Sequence, residues 1–251
     1  MTEVGGKLQG RVALVTGVSR RIGIAHAVAG RLADLGATVF ATGWPPHDAE
    51  MPWGEDPLED GDFAVERRDL EDPAAPAALV DAVIARHGGI DIVLAVHARS
   101  SHLGLLDVTA DELDRCWAAN VRSIVLLAQR LAERRDATRP GGRMVWFTSG
   151  QHIAPMDGEL AYAVTKGALH QLTRSLGAAL SPHGIIANCI NPGPVDTGYA
   201  DAAHRLTVAT RFPAGRWGTP DDVANLVEFL VTDNGAWIQG QVIDSEGGFR
   251  R

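Results

Sequence analysis

Seven short stretches of the chain are almost continuously apolar: 11–17 (RVALVTG), 37–42 (ATVFAT), 62–68 (DFAVERR), 90–96 (IDIVLAV), 142–149 (GRMVWFTS), 184–190 (GIIANCI) and 240–246 (GQVIDSE). Runs this short and this uniformly apolar predict strands covered on both faces. Between them, apolar positions recur at helical spacing near 23–35, 73–87, 110–135, 159–180 and 220–232. The last opens with Thr219 as a helix cap, Pro220 at the first helical position and two aspartates in the first turn. Strand and helix alternating in this way predict right-handed crossovers and a doubly wound α/β fold with a parallel sheet of about seven strands. No repeat and no break in composition divides the chain, so residues 1–251 read as a single domain.

Two connections are unusually long. Residues 43–61 (GWPPHDAEMPWGEDPLEDG) are rich in proline and acid and read as a solvated flap. Residues 191–218 hold a short predicted helix near 200–211. They follow the C-terminal end of a strand, where ligands bind in open α/β sheets.

Composition narrows the choice of partner. The 251 residues are 45% hydrophobic and 22% charged, as in an ordinary globular protein, and the net charge is −8. That charge disfavours nucleic acid or an anionic membrane surface as the main partner. No apolar run reaches the length of a membrane span, and the N-terminus lacks a secretory pattern. Cys116 and Cys189 lie far apart and show neither redox nor zinc spacing. The expectation is a reduced, cytoplasmic protein without a metal site.

Candidate chemistry begins at the first strand, which runs straight into TGVSRRIGIAHAVAGRL. A glycine-rich turn between a strand and a helix brings backbone N–H groups against a pyrophosphate at the helix N-terminus. A second signal is Tyr162 four residues before Lys166 in a helical stretch. The chain has only two lysines and two tyrosines, so this spacing arises by chance in roughly 2% of shuffled sequences. Neither a hydrolase nucleophile elbow around Ser149 nor an H-E-x-x-H metal motif is present.

Taken together, these residues resemble the classical short-chain dehydrogenase/reductase family, in its 3-oxoacyl-(acyl-carrier-protein) reductase-like branch, from Lys7 to Phe249. The family's T-G-x-x-x-G-x-G turn is matched by Thr16, Gly17, Gly23 and Ala25, with two extra residues in the turn. Ser149 stands thirteen residues before Tyr162, and Asn120 lies in CWAANVRS. Pro192, Gly193, Val195 and Thr197 match P-G-x-V-x-T. One motif departs: N-N-A-G after the fourth strand is replaced by Val96, His97, Ala98 and Arg99. An arginine at the glycine position either points away or reaches into the site.

The resemblance implies a Rossmann domain that transfers a hydride between a nicotinamide cofactor and a ketone or secondary alcohol, 3-oxoacyl thioesters among them. It implies Ser149, Tyr162, Lys166 and Asn120 as catalytic residues. It implies cofactor contacts from Gly17, Ser19, Arg20, Arg21, Gly23, Ile24, Gly43, Asp69, Leu70, His97, Ala98, Pro192, Gly193, Val195 and Thr197, and from Tyr162 and Lys166. A phenol has a pKa of about 10, so a cationic neighbour such as Lys166 is expected to bring its ionised form nearer neutrality. NADP(H) is expected over NAD(H). The second strand ends at Gly43 and Trp44 without a carboxylate to repel a 2′-phosphate, and Arg20 lies where family members meet that phosphate. Asp48 or Glu50 in the acidic flap could reach the ribose instead. His97, His102 and His152 are expected as pocket walls, and Leu103–Leu106, Ile153–Met156 and Thr197–Phe212 as segments facing substrate. A homotetramer, or a dimer, follows from resemblance only. The competing readings are a catalytically impaired cofactor-binding scaffold, and a dehydratase or isomerase of the same fold.

Overall fold

The computed structural model describes residues 6–58 and 64–250, without the side chains of Ala202 and His204. Seven parallel strands form one sheet in the order β3-β2-β1-β4-β5-β6-β7. They are β1 (Val12–Thr16), β2 (Thr38–Gly43), β3 (Val65–Arg67), β4 (Ile92–Ala95), β5 (Gly142–Phe147), β6 (Ile185–Asn191) and β7 (Val242–Asp244). Five fall within their predicted runs, while β2 and β6 each extend one residue past theirs, to Gly43 and Asn191. Asp62 and Phe63, which open the third run, lie outside the described residues, as does the end of the acidic flap.

Alternation along the strands builds two cores. Val12 and Leu14 of β1, Val93 of β4, and Met144 and Trp146 of β5 face one layer of helices. That layer comprises α3 (Ala75–His87), α5 (Ser123–Glu133) and α6 (Leu160–Leu180), whose Leu79, Val83, Leu127, Leu131 and Leu169 are fully buried. Ala13, Val15, Ile92, Leu94 and Val145 face the other layer, formed by α1 (Ile24–Asp34) and α8 (Pro220–Val231). With both faces covered, burial leaves little room for polar positions in the strands, which explains the uniform apolar runs. Thr219 caps α8 as expected: its Oγ1 accepts from Asp222 N, and Thr219 N donates to Asp222 Oδ2 at 2.8 Å.

Two expectations are corrected. The stretch 110–135 is not one regular helix. It divides into α4 (Ala110–Trp117), a π-helical turn at Ala118–Arg122 and α5, with Ser123 N bonded back five residues to Ala118 O. The flap at 43–61 is not plain loop either. It contains α2 (Pro45–Glu50), begun by two prolines at positions that need no amide hydrogen. The predicted helix near 200–211 is α7 (Ala202–Ala209).

The strand order reverses between β1 and β4, leaving a crevice beyond their C-terminal ends. The chain packs there without slack. Gly17 follows β1 with φ +83°, and a Cβ at this position would lie 2.7 Å from His97 N. Only glycine satisfies both the backbone angle and the contact.

Candidate active site

The crevice holds two adjoining cavities that share Arg20, Ile24, Trp53, Ser100 and Thr197. The first runs over the glycine-rich turn and the ends of β2 and β4. Gly17, Ser19, Arg20, Gly23, Ile24, Gly43, Asp69, Leu70, His97, Ala98 and Thr197, all expected at the cofactor, line it. Helix α1 starts at Gly23 with no side chain capping its N-terminus and no acid in its first turn. Its first N–H groups are therefore left to an anion. Gly43 must be glycine, since a Cβ would meet Val18 O at 2.3 Å.

Arg21 is not brought into this cavity. It is exposed, 4.0 Å from Asp56, and its N–H donates to Asp56 O. Arg20 lies at the cavity instead, its guanidinium 5.9 Å from the Trp53 ring centroid and its buried Nε without a partner among the described residues. His47 Nδ1 and Thr42 Oγ1 are likewise buried, unpartnered and on this wall. Asp48 also lines it, and its carboxylate accepts from Trp53 Nε1 at 3.2 Å. An open helix N-terminus with unused donors beside it fits a dinucleotide phosphate. The carboxylates of Asp48, Asp69 and Glu71, which line the same cavity, oppose a further negative charge.

The second cavity is lined by Ser149, Tyr162, Pro192, Gly193 and Val195, with Met156, Glu159, His102 and Tyr199. Helix α6 presents Tyr162 and, one turn later, Lys166. Lys166 is 2% exposed; its Nζ donates to Phe147 O at 2.8 Å and stands 5.4 Å from the Tyr162 ring centroid. Burial lowers its pKa to about 8. Burial has the opposite effect on the phenol and raises Tyr162 to about 12, offset in part by a hydrogen bond with Ser149 and reinforced by the charge of Glu159. The expected lowering of Tyr162 by Lys166 is thus not met in the protein alone. Removing the phenolate from water is the dominant effect, and burial weakens the charge of Lys166 itself.

Asn120 sits at the centre of the π-helical turn, fully buried and lining neither cavity. Its Oδ1 accepts from Arg99 N at 2.7 Å, and its Nδ2 donates to Arg99 O and to Thr165 Oγ1. The side-chain amide is thereby committed to fixing the β4 loop against α6.

The departure at 96–99 resolves into two roles. Arg99 points away from the second cavity. Its guanidinium is 8% exposed and meets Glu71 Oε1 at 3.2 Å and Glu112 Oε2 at 3.0 Å. Burial would raise Glu112, but the hydrogen bond and charge of Arg99 bring it below its ordinary value. His97 stitches the sheet to a helix: Nδ1 lies 2.6 Å from Thr16 Oγ1, and Nε2 lies 3.0 Å from Ala119 O and 2.8 Å from Ser123 Oγ. Burial, then the charge of Lys166, lowers its pKa to about 4.

A family model described as enoyl-(acyl carrier protein) reductase matches residues 17–250, nearly the whole chain. The chain belongs to the short-chain dehydrogenase/reductase family. This family uses NAD(P), and the chain is accordingly an oxidoreductase. Among similar proteins is the uncharacterized oxidoreductase YjdA of Bacillus subtilis, 36% identical over 97% of this chain and 98% of that protein. Another is the chloroplastic NADPH-dependent aldehyde reductase-like protein of Arabidopsis thaliana, 31% identical over 96% and 95%. A short-chain dehydrogenase from Burkholderia cenocepacia, solved in complex with NADP, superposes with a TM-score of 0.82, 33% identity, and 96% and 98% coverage.

Several pocket residues escaped the sequence. Leu105 and Leu106 are 76% and 94% exposed and line neither cavity. Ile153 is also exposed, and Phe212 packs with Val208 and Trp217 in a separate small core. Of the expected segments, Met156, Thr197 and Tyr199 reach the cavity. His102 lines it, while His97 lines the first cavity and His152 lines neither. Glu159 and Trp53 were not anticipated there. Glu159, three residues before Tyr162 at the start of the same helix, was open to such reading, whereas Trp53 arrives from the flap with no local signal.

Proposed function

We propose that this protein is an NADP(H)-preferring reductase that transfers a hydride between the nicotinamide and a ketone or secondary alcohol, with 3-oxoacyl thioesters among its candidate substrates and NAD(H) as a weaker cofactor. The observation that carries the reading is the convergence of Ser149 and Tyr162 on one cavity wall, with Lys166 buried beneath them. The bound cofactor supplies the hydride. Everything else falls to the chain's own side chains. Tyr162, held protonated by burial, donates its phenolic proton to the oxygen that gains charge. Ser149 hydrogen-bonds the same oxygen and holds it in line. Lys166, mostly cationic at neutral pH with its pKa near 8, stabilises the phenolate left behind. Its three donors suit this better than a guanidinium fork.

Preference for the 2′-phosphate rests on Gly43 and Trp44 at the end of β2, on the unpartnered Nε of Arg20, and on the NADP complex of the Burkholderia relative. A charge-assisted hydrogen bond from Arg20 is worth about 1.5–3 kcal/mol, or roughly 10- to 150-fold in affinity. Titration of NADPH and NADH into wild type, Arg20→Ala and Arg21→Ala tests this. The expected result is a NADPH preference that Arg20→Ala removes and Arg21→Ala spares. Equal or tighter NADH binding by wild type refutes it. Turnover across a ketone panel tests the reaction itself.

A homotetramer, or a dimer, is supported by apolar side chains left exposed on α4 and α5 (Leu113, Trp117, Val125) and around α8 and β7 (Phe229, Trp237). Light scattering on the eluting protein measures this directly. A cytoplasmic location is in keeping with the two buried free cysteines and with the lack, among the described residues, of a helix long and apolar enough to cross a membrane.

A further inference from the structure

The second cavity carries a charged group that hydride transfer does not need. Glu159 occupies the N-cap position of α6 but makes no capping hydrogen bond with its side chain. Its carboxylate turns to the cavity wall, where the nearest recorded partner is His102, Nδ1 to Oε1 at 3.6 Å. That distance is too long for a hydrogen bond, so the acceptor sites of the carboxylate stay open. His102 is itself held by an edge contact with Trp53, ring centroids 5.9 Å apart at 82°. Glu159 stands three residues before Tyr162, at the cap of the helix that carries it, and both side chains line this cavity. The charge of Glu159 acts on both Tyr162 and Tyr199, the two phenols of the cavity.

We infer that Glu159, with His102 beside it, is a specificity subsite that accepts a hydrogen-bond donor, a hydroxyl or protonated amine, on the substrate a few bonds from the reacting carbonyl. The carboxylate completes an interaction there that an apolar substrate leaves unmade, and leaving it unmade wastes its desolvation. It also repels an acid at that position. The inference rests on the proposed carbonyl reduction and refines its substrate class toward hydroxy- and amino-ketones and away from keto acids.

The test uses four ketones of equal chain length ending in methyl, hydroxyl, ammonium and carboxylate groups. Wild type, Glu159→Gln and His102→Gln are each assayed for kcat/KM and, separately, for equilibrium binding of the same compounds by calorimetry. Wild type is expected to favour the hydroxyl and ammonium compounds over the methyl compound by 10-fold or more, and the carboxylate least. Glu159→Gln should lose the ammonium preference and admit the carboxylate, with an unchanged melting temperature. His102→Gln should strengthen the ammonium preference, and it serves as the second probe should Glu159→Gln not fold. If wild type treats all four within about 3-fold, or if Glu159→Gln keeps the wild-type order, the subsite is refuted. Discrimination in binding without turnover of any ketone leaves the subsite standing and overturns the proposed reaction instead. Turnover without discrimination does the reverse.

Discussion

Acid is expected to weaken this fold through His97. The ring lies between Thr16 at the end of β1 and the Ala119–Ser123 turn before α5. Its neutral form satisfies both sides, with Nε2–H donating to Ala119 O and Nδ1 accepting from the Thr16 hydroxyl. A second proton adds a cation to an interior that already holds Lys166, and burial with that charge lowers the His97 pKa from 6.5 to about 4. The sign follows from linkage. As pH falls, the unfolded chain takes up the proton near 6.5, while the folded chain resists until about 4. The stability contributed by the neutral ring is complete above about 6.5 and is lost progressively down to about 4. The full difference corresponds to roughly 3 kcal/mol, of which about 2 kcal/mol is gone by about pH 5. That is a large part of a typical total of about 5–15 kcal/mol. His97→Asn retains a donor and an acceptor but does not titrate. Urea unfolding of both proteins between about pH 7.5 and about pH 5 isolates the effect, because carboxylates with lowered pKa, such as Asp91 and Glu112, act equally in both. Wild type should lose about 2 kcal/mol more than the variant over this range. Parallel losses would show that the His97 ring is charged at little cost, and the argument from its burial would fail.

Three further outcomes are expected. Tyr162→Phe should keep the fold and the cofactor Kd but lower kcat by at least about 10², the scale of losing a positioned general acid, as steady-state assays would report. Near-wild-type turnover contradicts the assignment. Arg99→Gly should lower stability by about 3 kcal/mol, because Glu112 and Glu71 lose a buried partner. Glu112→Gln added to it should recover part of the loss in the same denaturation assay, and no recovery argues against the ion pair. Gly17→Ala should weaken cofactor binding and lower the melting temperature together, since its Cβ would meet His97 N at 2.7 Å in a backbone region that disfavours alanine. Unchanged titrations would mean that the β1 turn and the β4 loop separate freely.

The sheet was legible because its strands are buried on both faces, and the apolar runs that burial demands are visible one strand at a time. The proposed catalytic wall was legible for a similar local reason: Tyr162 and Lys166 share one helix, and Ser149 follows the end of β5 by two residues. What was hidden depends on contacts between distant segments. Nothing in the periodicity of 110–135 marks the π turn. It becomes intelligible only when Asn120 is seen bonded to both sides of Arg99 and to Thr165. The direction of Arg99 was equally closed to sequence reading, because the carboxylates that draw it away from the second cavity come from Glu71 and Glu112 on separate elements.

The same reasoning joins two features that look unrelated along the chain. One is the pair of extra residues in the glycine-rich turn; the other is the long acidic flap after β2. In the fold they meet. Asp56 of the flap accepts from Ile22 N at 2.8 Å through its side chain and from Arg21 N at 3.3 Å through its carbonyl, and it lies within 4.0 Å of Arg21 Nε. Trp53 packs beneath the Arg20 guanidinium and reaches both cavities. An enlarged turn leaves more backbone N–H groups without helical partners, and these need acceptors. The acidic flap supplies them, so the acid that reads as mere solvation in sequence serves the turn in structure. Because Arg20 and Arg21 are adjacent, anchoring Arg21 on Asp56 also fixes where Arg20 can go. The flap therefore acts on the cofactor cavity through the turn as well as through Asp48 and Trp53, which line it.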